Sequence, residues 1–216
     1  MTEKEKNRLA SGIKEVARDC DLFKKDFKIE IRSFNDGTLM SWTEGGTLSV
    51  STTIQKINDG TEVCAARDLR NALKKLSNKE PMSFVEEYMI ETLYHENVHS
   101  RAVGLPIREK SILDTVIEET CTQLYAREKY VNVLKKYGRA PEHFYDIRHN
   151  GLGYREQCEK LRAYFTKNGE IQVGELINIA NGSSKGGDIL LGKLIKLGMS
   201  EREANIFLSN FITASF

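Results

Sequence analysis

The densest chemistry in this chain lies in LYHENVHS, residues 93–100, where His95, Glu96 and His99 stand as His-Glu-x-x-His. Residues four apart on a helix share a face, about one turn apart. Both imidazoles can therefore offer a nitrogen to one ion. Glu96 falls beside that face, where its carboxylate can meet a water held by the ion. Zinc takes about four ligands, and a catalytic site leaves one of those places to water. The ion lowers the pKa of that water, and the carboxylate takes its proton as the oxygen attacks a carbonyl. A pentapeptide of this kind also arises by chance, so a third ligand becomes the deciding question. The chain has 4 histidines, and two of them fall here. A second acidic pair, Glu118 and Glu119, follows in VIEETCTQLYA, residues 116–126.

The helices that must position these groups carry their own start signals. Pro81 punctuates the chain, and Ser83-x-x-Glu86 forms a capping box, in which serine and glutamate satisfy otherwise free backbone N–H groups. A helix from 84 to about 102 is predicted. Val85, Met89, Ile90, Leu93, Tyr94 and Val98 give it a wide apolar stripe, while Glu86, Glu87 and Glu91 are expected to face solvent. A largely buried helix supplies the rigidity that a metal site requires. Gly104 and Pro106 open a connection, and Ser111-x-x-Asp114 starts a long helix predicted over about 112–136, ended by Lys135, Lys136 and Gly138.

Earlier in the chain, residues 4–19 predict one helix. FKIEIRSF, residues 27–34, alternates strictly and predicts a half-buried strand. Asp-Gly in the NDGT that follows is a hairpin signal, so LMSW at 39–42 is expected to return as its partner. TLSVSTTI at 47–54 alternates again, and a second NDGT stands at 58–61. This third of the chain reads as a small antiparallel sheet. Leu69, Ala72, Leu73 and Leu76 then fit one helical face. Residues 138–153 read as irregular, and 154–165 as a helix. Short helices are predicted at about 170–180, 188–197 and 201–213, with Ser200-x-x-Glu203 capping the last. NGSSKGGD at 181–188 lacks the Gly-Lys-Ser/Thr arrangement of a phosphate loop and reads as a linker. The expected fold class is α+β, mostly α. The expected division is 1–167, with 168–216 as a small helical extension or part of the same domain.

HENVH followed by IEETCT resembles the glutamate-ligand branch of the zincin metallopeptidases, the thermolysin-like or gluzincin group. In that group a third ligand comes from a following helix, often near twenty residues on. Glu119 lies twenty after His99 and Glu118 nineteen. The resemblance favours Glu119, with Thr122 three further on, although Thr120 stands where many relatives have glycine. The metzincin branch fits poorly, because it wants glycine and histidine where the chain has Ala102 and Leu105. What the resemblance implies is a zincin-like fold: an active helix and a glutamate helix beneath a small sheet whose edge strand lines the cleft. It also implies hydrolysis of a peptide or protein substrate, endopeptidase or aminopeptidase, with zinc on His95, His99 and Glu119 and with Glu96 as general base. Relatives supply a histidine or tyrosine beyond the glutamate helix for the oxyanion of the tetrahedral intermediate. Here EHFYDIRHNGLGY, residues 142–154, contains His143, Tyr145, His149 and Tyr154, of which His149 and Tyr154 are favoured. Asp114 and Asp146 are candidate acceptors for the second N–H of a ligating histidine. Cys121 and Trp42 read as core residues.

Two rivals remain at this stage. One is a non-catalytic structural or interaction module that carries a metal on the same fold. The other is a metal-free helical binding protein. Composition narrows the field further. A formal net charge of +1 argues for no polyanion partner, and the pairs Lys24–Lys25, Lys74–Lys75 and Lys135–Lys136 read as solvated surface, so no nucleic-acid partner is expected. The polar start has no signal-like apolar core, and no apolar run is long enough to span a bilayer. Cys20, Cys64, Cys121 and Cys158 form no CxxC pair and read as reduced, largely core thiols. The expectation is a cytoplasmic protein of open oligomeric state.

Overall fold

The computed structural model describes residues 1–23, 26–57, 60–101, 111–167, 170–171, 179 and 186–213. Its elements in chain order are α1 (Glu3–Asp19), β1 (Lys28–Arg32), β2 (Met40–Thr43), β3 (Thr47–Ser51), β4 (Gln55–Lys56), β5 (Glu62–Val63), α2 (Ala65–Asn78), α3 (Phe84–Arg101), α4 (Ile112–Lys129), α5 (Val131–Lys136), α6 (Phe144–Asn150), α7 (Arg155–Phe165), β6 (Thr166–Lys167), β7 (Glu170–Ile171), α8 (Gly186–Lys196) and α9 (Glu201–Thr213). The class is α+β and mostly helical. Among the described residues no helix is long and apolar enough to cross a membrane. The chain divides into two compact units, Met1–Ser100 with Lys129–Ile147, and Arg101–Glu128 with Arg148–Phe216.

In the first unit β3 is the central strand of three, in the order β1-β3-β2. It runs antiparallel to β2 but parallel to β1, with Lys28 opposite Thr47 and Arg32 opposite Ser51. The sheet is therefore mixed, and the hairpin expected between 27–34 and 39–42 is replaced by one between β2 and β3. The physical reason lies at the far end of β1. Asp36 does make its local turn, with Oδ1 accepting from Thr38 N at 3.0 Å. The chain before that turn is captured by the end of β3 instead. Thr52 N donates to Arg32 O at 2.9 Å, and Thr53 Oγ1 both donates to Phe34 O and accepts from Phe34 N. The segment 47–54 is thus central and 27–34 lies at an edge. Leu48 and Val50 are fully buried in β3. Trp42 stacks on Phe23, and Phe23 on Phe27, at ring separations of 5.3 and 4.7 Å. It belongs to this aromatic layer.

Against the sheet packs α2, which buries Leu69, Ala72, Leu73 and Leu76 on the expected face. Helix α3 departs from expectation, because its glutamates are not solvated. Glu86, Glu87 and Glu91 are all buried. Glu86 closes the capping box, with Oε2 accepting from Ser83 N at 2.7 Å, and pairs with Lys75 at 2.8 Å. Glu87, 0 % exposed, accepts from Tyr130 Oη at 2.6 Å on one oxygen and from the N–H groups of Glu142 and His143, at 2.8 and 3.1 Å, on the other.

That one carboxylate accounts for two further differences. The helix expected over 112–136 is broken between α4 and α5 at Tyr130, whose phenol is drawn to Glu87 while Val133 N turns back to Tyr130 O at 2.9 Å. Residues 144–150, expected to be irregular, form α6, because Glu87 caps N–H groups at its start that no local side chain satisfies. The second unit holds α4 up to Glu128, the end of α6, α7, the β6–β7 pair, α8 and α9. Ser111 and Ser200 cap α4 and α9 as their spacing indicated, accepting from Asp114 N at 3.1 Å and Glu203 N at 3.3 Å. The pairing of 166–167 with 170–171 was not expected. Most of the helix expected at 170–180, the start of the 181–188 linker, the second NDGT turn in part, and positions 102–110 lie outside the described residues.

Replacing Glu87 by Gln would turn an amide N–H₂ toward donors that now share two carboxylate oxygens. The expected cost is ~1–3 kcal/mol, read as a lower urea midpoint at unchanged slope.

Candidate metal centre

His95 and His99 emerge one turn apart on α3, and their Nε2 atoms face each other at 2.9 Å. The rings meet edge to face, with centroids 4.7 Å apart. Neither histidine could hold this aim if α3 rolled about its axis. Asn97, buried between them in sequence, helps to prevent that roll: its Oδ1 accepts from Phe23 N at 2.6 Å. Phe23 sits in the left-handed region at φ 58°, so the bond also fixes a strained backbone. Sequence reading missed Asn97, since nothing local marks an asparagine that bonds 74 residues back. Glu96, next to the first histidine, is 6 % exposed.

Among the described residues, the group of side chains able to hold a metal ion is His95, His99 and Glu119. Each offers one ligand atom, and all three atoms lie within 4.8 Å of one another. Glu118 is not in the group. The buried Cys121, one turn of α4 from Glu118, has its thiol pushed up by burial first and then by Cys158 and Glu118. It remains a protonated thiol in the core rather than a soft ligand.

The four candidates in 142–154 separate by environment. His143 is held structurally, with Nε2 at 3.0 Å from Met82 O and its ring edge-on to Phe84. Tyr145 is 72 % exposed. His149 lies in the last turn of α6, and Arg162 donates to its Nδ1 at 2.9 Å. A guanidinium cannot accept, so Nδ1 is the acceptor and the neutral ring carries its proton on Nε2. Burial, and then the Arg162 charge, lower the pKa of His149, against an opposing pull from Glu159. Tyr154 precedes α7 in the left-handed region at φ 47°. Burial, then the Glu119 carboxylate, push its phenol up to about 12, so it is a protonated donor throughout the neutral range.

Neither aspartate proposed to orient the histidines does so. Asp114 Oδ2 accepts from Ser111 Oγ at 2.5 Å and Oδ1 from Gly187 N at 2.7 Å, which ties the start of α4 to the start of α8. Asp146 is exposed and makes no such bond among the described residues. A residue that sequence reading missed is Arg127 on α4, fully buried, whose Nη2 donates to the carbonyls of Gly151, Leu152 and Gly153 at 2.9, 3.1 and 2.9 Å. The available signal was periodicity: Glu119, Gln123 and Arg127 recur every fourth residue along α4.

His149 yields a pH prediction. Its folded pKa lies below the ordinary value of ~6.5, so between the two the unfolded chain binds a proton that the folded chain does not. Its influence on stability is nil above the ordinary histidine range and turns unfavourable as pH falls through it. In an NMR titration His149 is expected to protonate below the ordinary range. Arg162→Gln should move it upward, since the Glu159 carboxylate stays in place; an unmoved titration would contradict the assignment of Arg162 as its partner. No family model, curated protein or solved structure matches this chain.

Proposed function

We propose that this protein is a zinc-dependent peptidase of the glutamate-ligand zincin type, cleaving peptide or protein amide bonds with a metal-activated water. The observation that carries the reading is the grouping of His95, His99 and Glu119, with Glu96 adjoining the first ligand. Two imidazoles and a carboxylate are the donor set zinc takes in catalytic sites, and three protein donors leave one place for water. A tetrahedral ion with bonds of ~2.0–2.1 Å would set two nitrogens ~3.3 Å apart, a few tenths of an ångström wider than the pair stands.

Zinc, when bound, would acidify water and polarise the scissile carbonyl. Glu96 takes the proton released in the attack and returns it to the leaving nitrogen. Tyr154 and His149 are the candidate donors to the developing oxyanion: the first because burial keeps its phenol protonated, the second because Arg162 leaves its proton on Nε2. All four cysteines are free thiols and three are buried, which supports an intracellular setting.

The test is zinc content measured beside a broad peptide-cleavage screen. Glu96→Gln is expected to keep zinc near one equivalent while cleavage falls ~100- to 10,000-fold, the range of general acid–base catalysis. A Glu96→Gln protein that binds zinc and cleaves at the parental rate would rule out this role. Glu119→Gln is expected to lower zinc affinity strongly, whereas Glu118→Gln leaves it close to parental. Full zinc without cleavage would favour the non-catalytic module, and no zinc at all the metal-free binding protein.

A further inference from the structure

Arg127 is costly where it stands. It is 0 % exposed, and no carboxylate pairs with it among the described residues. A buried guanidinium without an opposite charge is a poor device for stability, since its desolvation is not offset. Its hydrogen bonds run from a single nitrogen, Nη2, to three successive carbonyls, while Nε and Nη1 find no acceptor among the described residues. What those bonds do is hold Gly151, Leu152 and Gly153 against α4.

The register of that loop follows from helix periodicity. Arg127, Gln123 and Glu119 lie on one face of α4 at successive turns. The loop meets the same face in the same order. Gly151–Gly153 lie on Arg127, and a Cβ added to Gly153 would meet Gln123 Oε1 at 3.8 Å. Tyr154 comes next in the chain. The Glu119 carboxylate acts on the Tyr154 phenol, so the residue that follows the clasp stands within electrostatic reach of Glu119. Two consecutive left-handed residues, Gly153 at φ 75° and Tyr154 at φ 47°, make the turn that allows it.

We infer that Arg127 is a positioning residue, clasping the 151–153 carbonyls so that Tyr154 is presented beside Glu119 for its part in hydrolysis. The inference rests on the peptidase reading for its catalytic consequence, while the clasp itself does not.

The test uses the full chain and the variants Arg127→Lys, Gly153→Ala, Tyr154→Phe and the double variant Arg127→Lys/Tyr154→Phe. Lysine keeps the charge but shortens the reach and loses the planar fork. Arg127→Lys is expected to lower kcat ~10-fold with KM within ~2-fold, and to cause no further loss in the Tyr154→Phe background, because a residue that acts through another does not add to its removal. With ring-labelled tyrosine, the Tyr154 NMR signal, identified by its loss in Tyr154→Phe, should shift toward that of exposed tyrosines in Arg127→Lys while the other tyrosine signals stay. Equal losses in both backgrounds, or an unmoved Tyr154 signal, would overturn the inference. Should Arg127→Lys fail to fold, Gly153→Ala, which keeps the guanidinium and strains the loop at a positive φ, is expected to give the same two results. A parent protein without peptidase activity would sink the peptidase reading alone, since the ring signal needs neither zinc nor substrate and still decides whether the clasp exists.

Discussion

Rotation of α3 about its own axis is the freedom that the histidine pair cannot tolerate. Successive residues on a helix are turned by about 100°, so a roll of even a fraction of that angle would swing one imidazole away from the other. Two buried polar side chains fix the roll. Glu87 takes three hydrogen bonds near the start of the helix, and Asn97 takes one beside the histidines. Apolar packing alone is weakly directional, whereas these bonds tolerate little rotation. The buried glutamates of α3 therefore orient as much as they stabilise.

The same economy appears in α4. Its apolar side anchors the helix through Val116, Ile117, Cys121 and Leu124, and its polar side spaces three long side chains at successive turns. Glu119 offers an atom that could ligate a metal, Gln123 abuts Gly153, and Arg127 gathers three carbonyls. A loop rich in glycine would otherwise sample many conformations, because glycine allows both signs of φ. Hydrogen bonds from a fixed helix restrict it, up to the left-handed backbone at Tyr154.

Tuning of the candidate donors comes from burial more than from neighbouring charge. Burial acts first on both Tyr154 and His149, and in each case it favours the neutral form. A neutral phenol and a neutral imidazole with its proton on Nε2 are both donors. Charge then refines the outcome, through Glu119 at the tyrosine and Arg162 at the histidine. Cys121, close in sequence to the glutamates, is subject to the same burial, which pushes its thiol up as well.

Much of this was legible along the chain, because it depends on neighbours within four residues. The capping boxes at Ser83, Ser111 and Ser200, the amphipathic face of α2 and the i,i+4 histidine pair are all local facts about period and side-chain reach. Partnerships across the chain were not legible. The parallel pairing of β1 with β3 depends on Thr52 and Thr53 capturing residues 32–34 before the Asp-Gly turn can return the chain. The break at Tyr130 and the helix at 144–150 both depend on one carboxylate more than 40 residues earlier. Composition and spacing determine which side chains a helix can present together. Only tertiary structure decides which of its polar groups are buried, since a buried glutamate or arginine is tolerable only where distant partners supply hydrogen bonds, and no local window contains them.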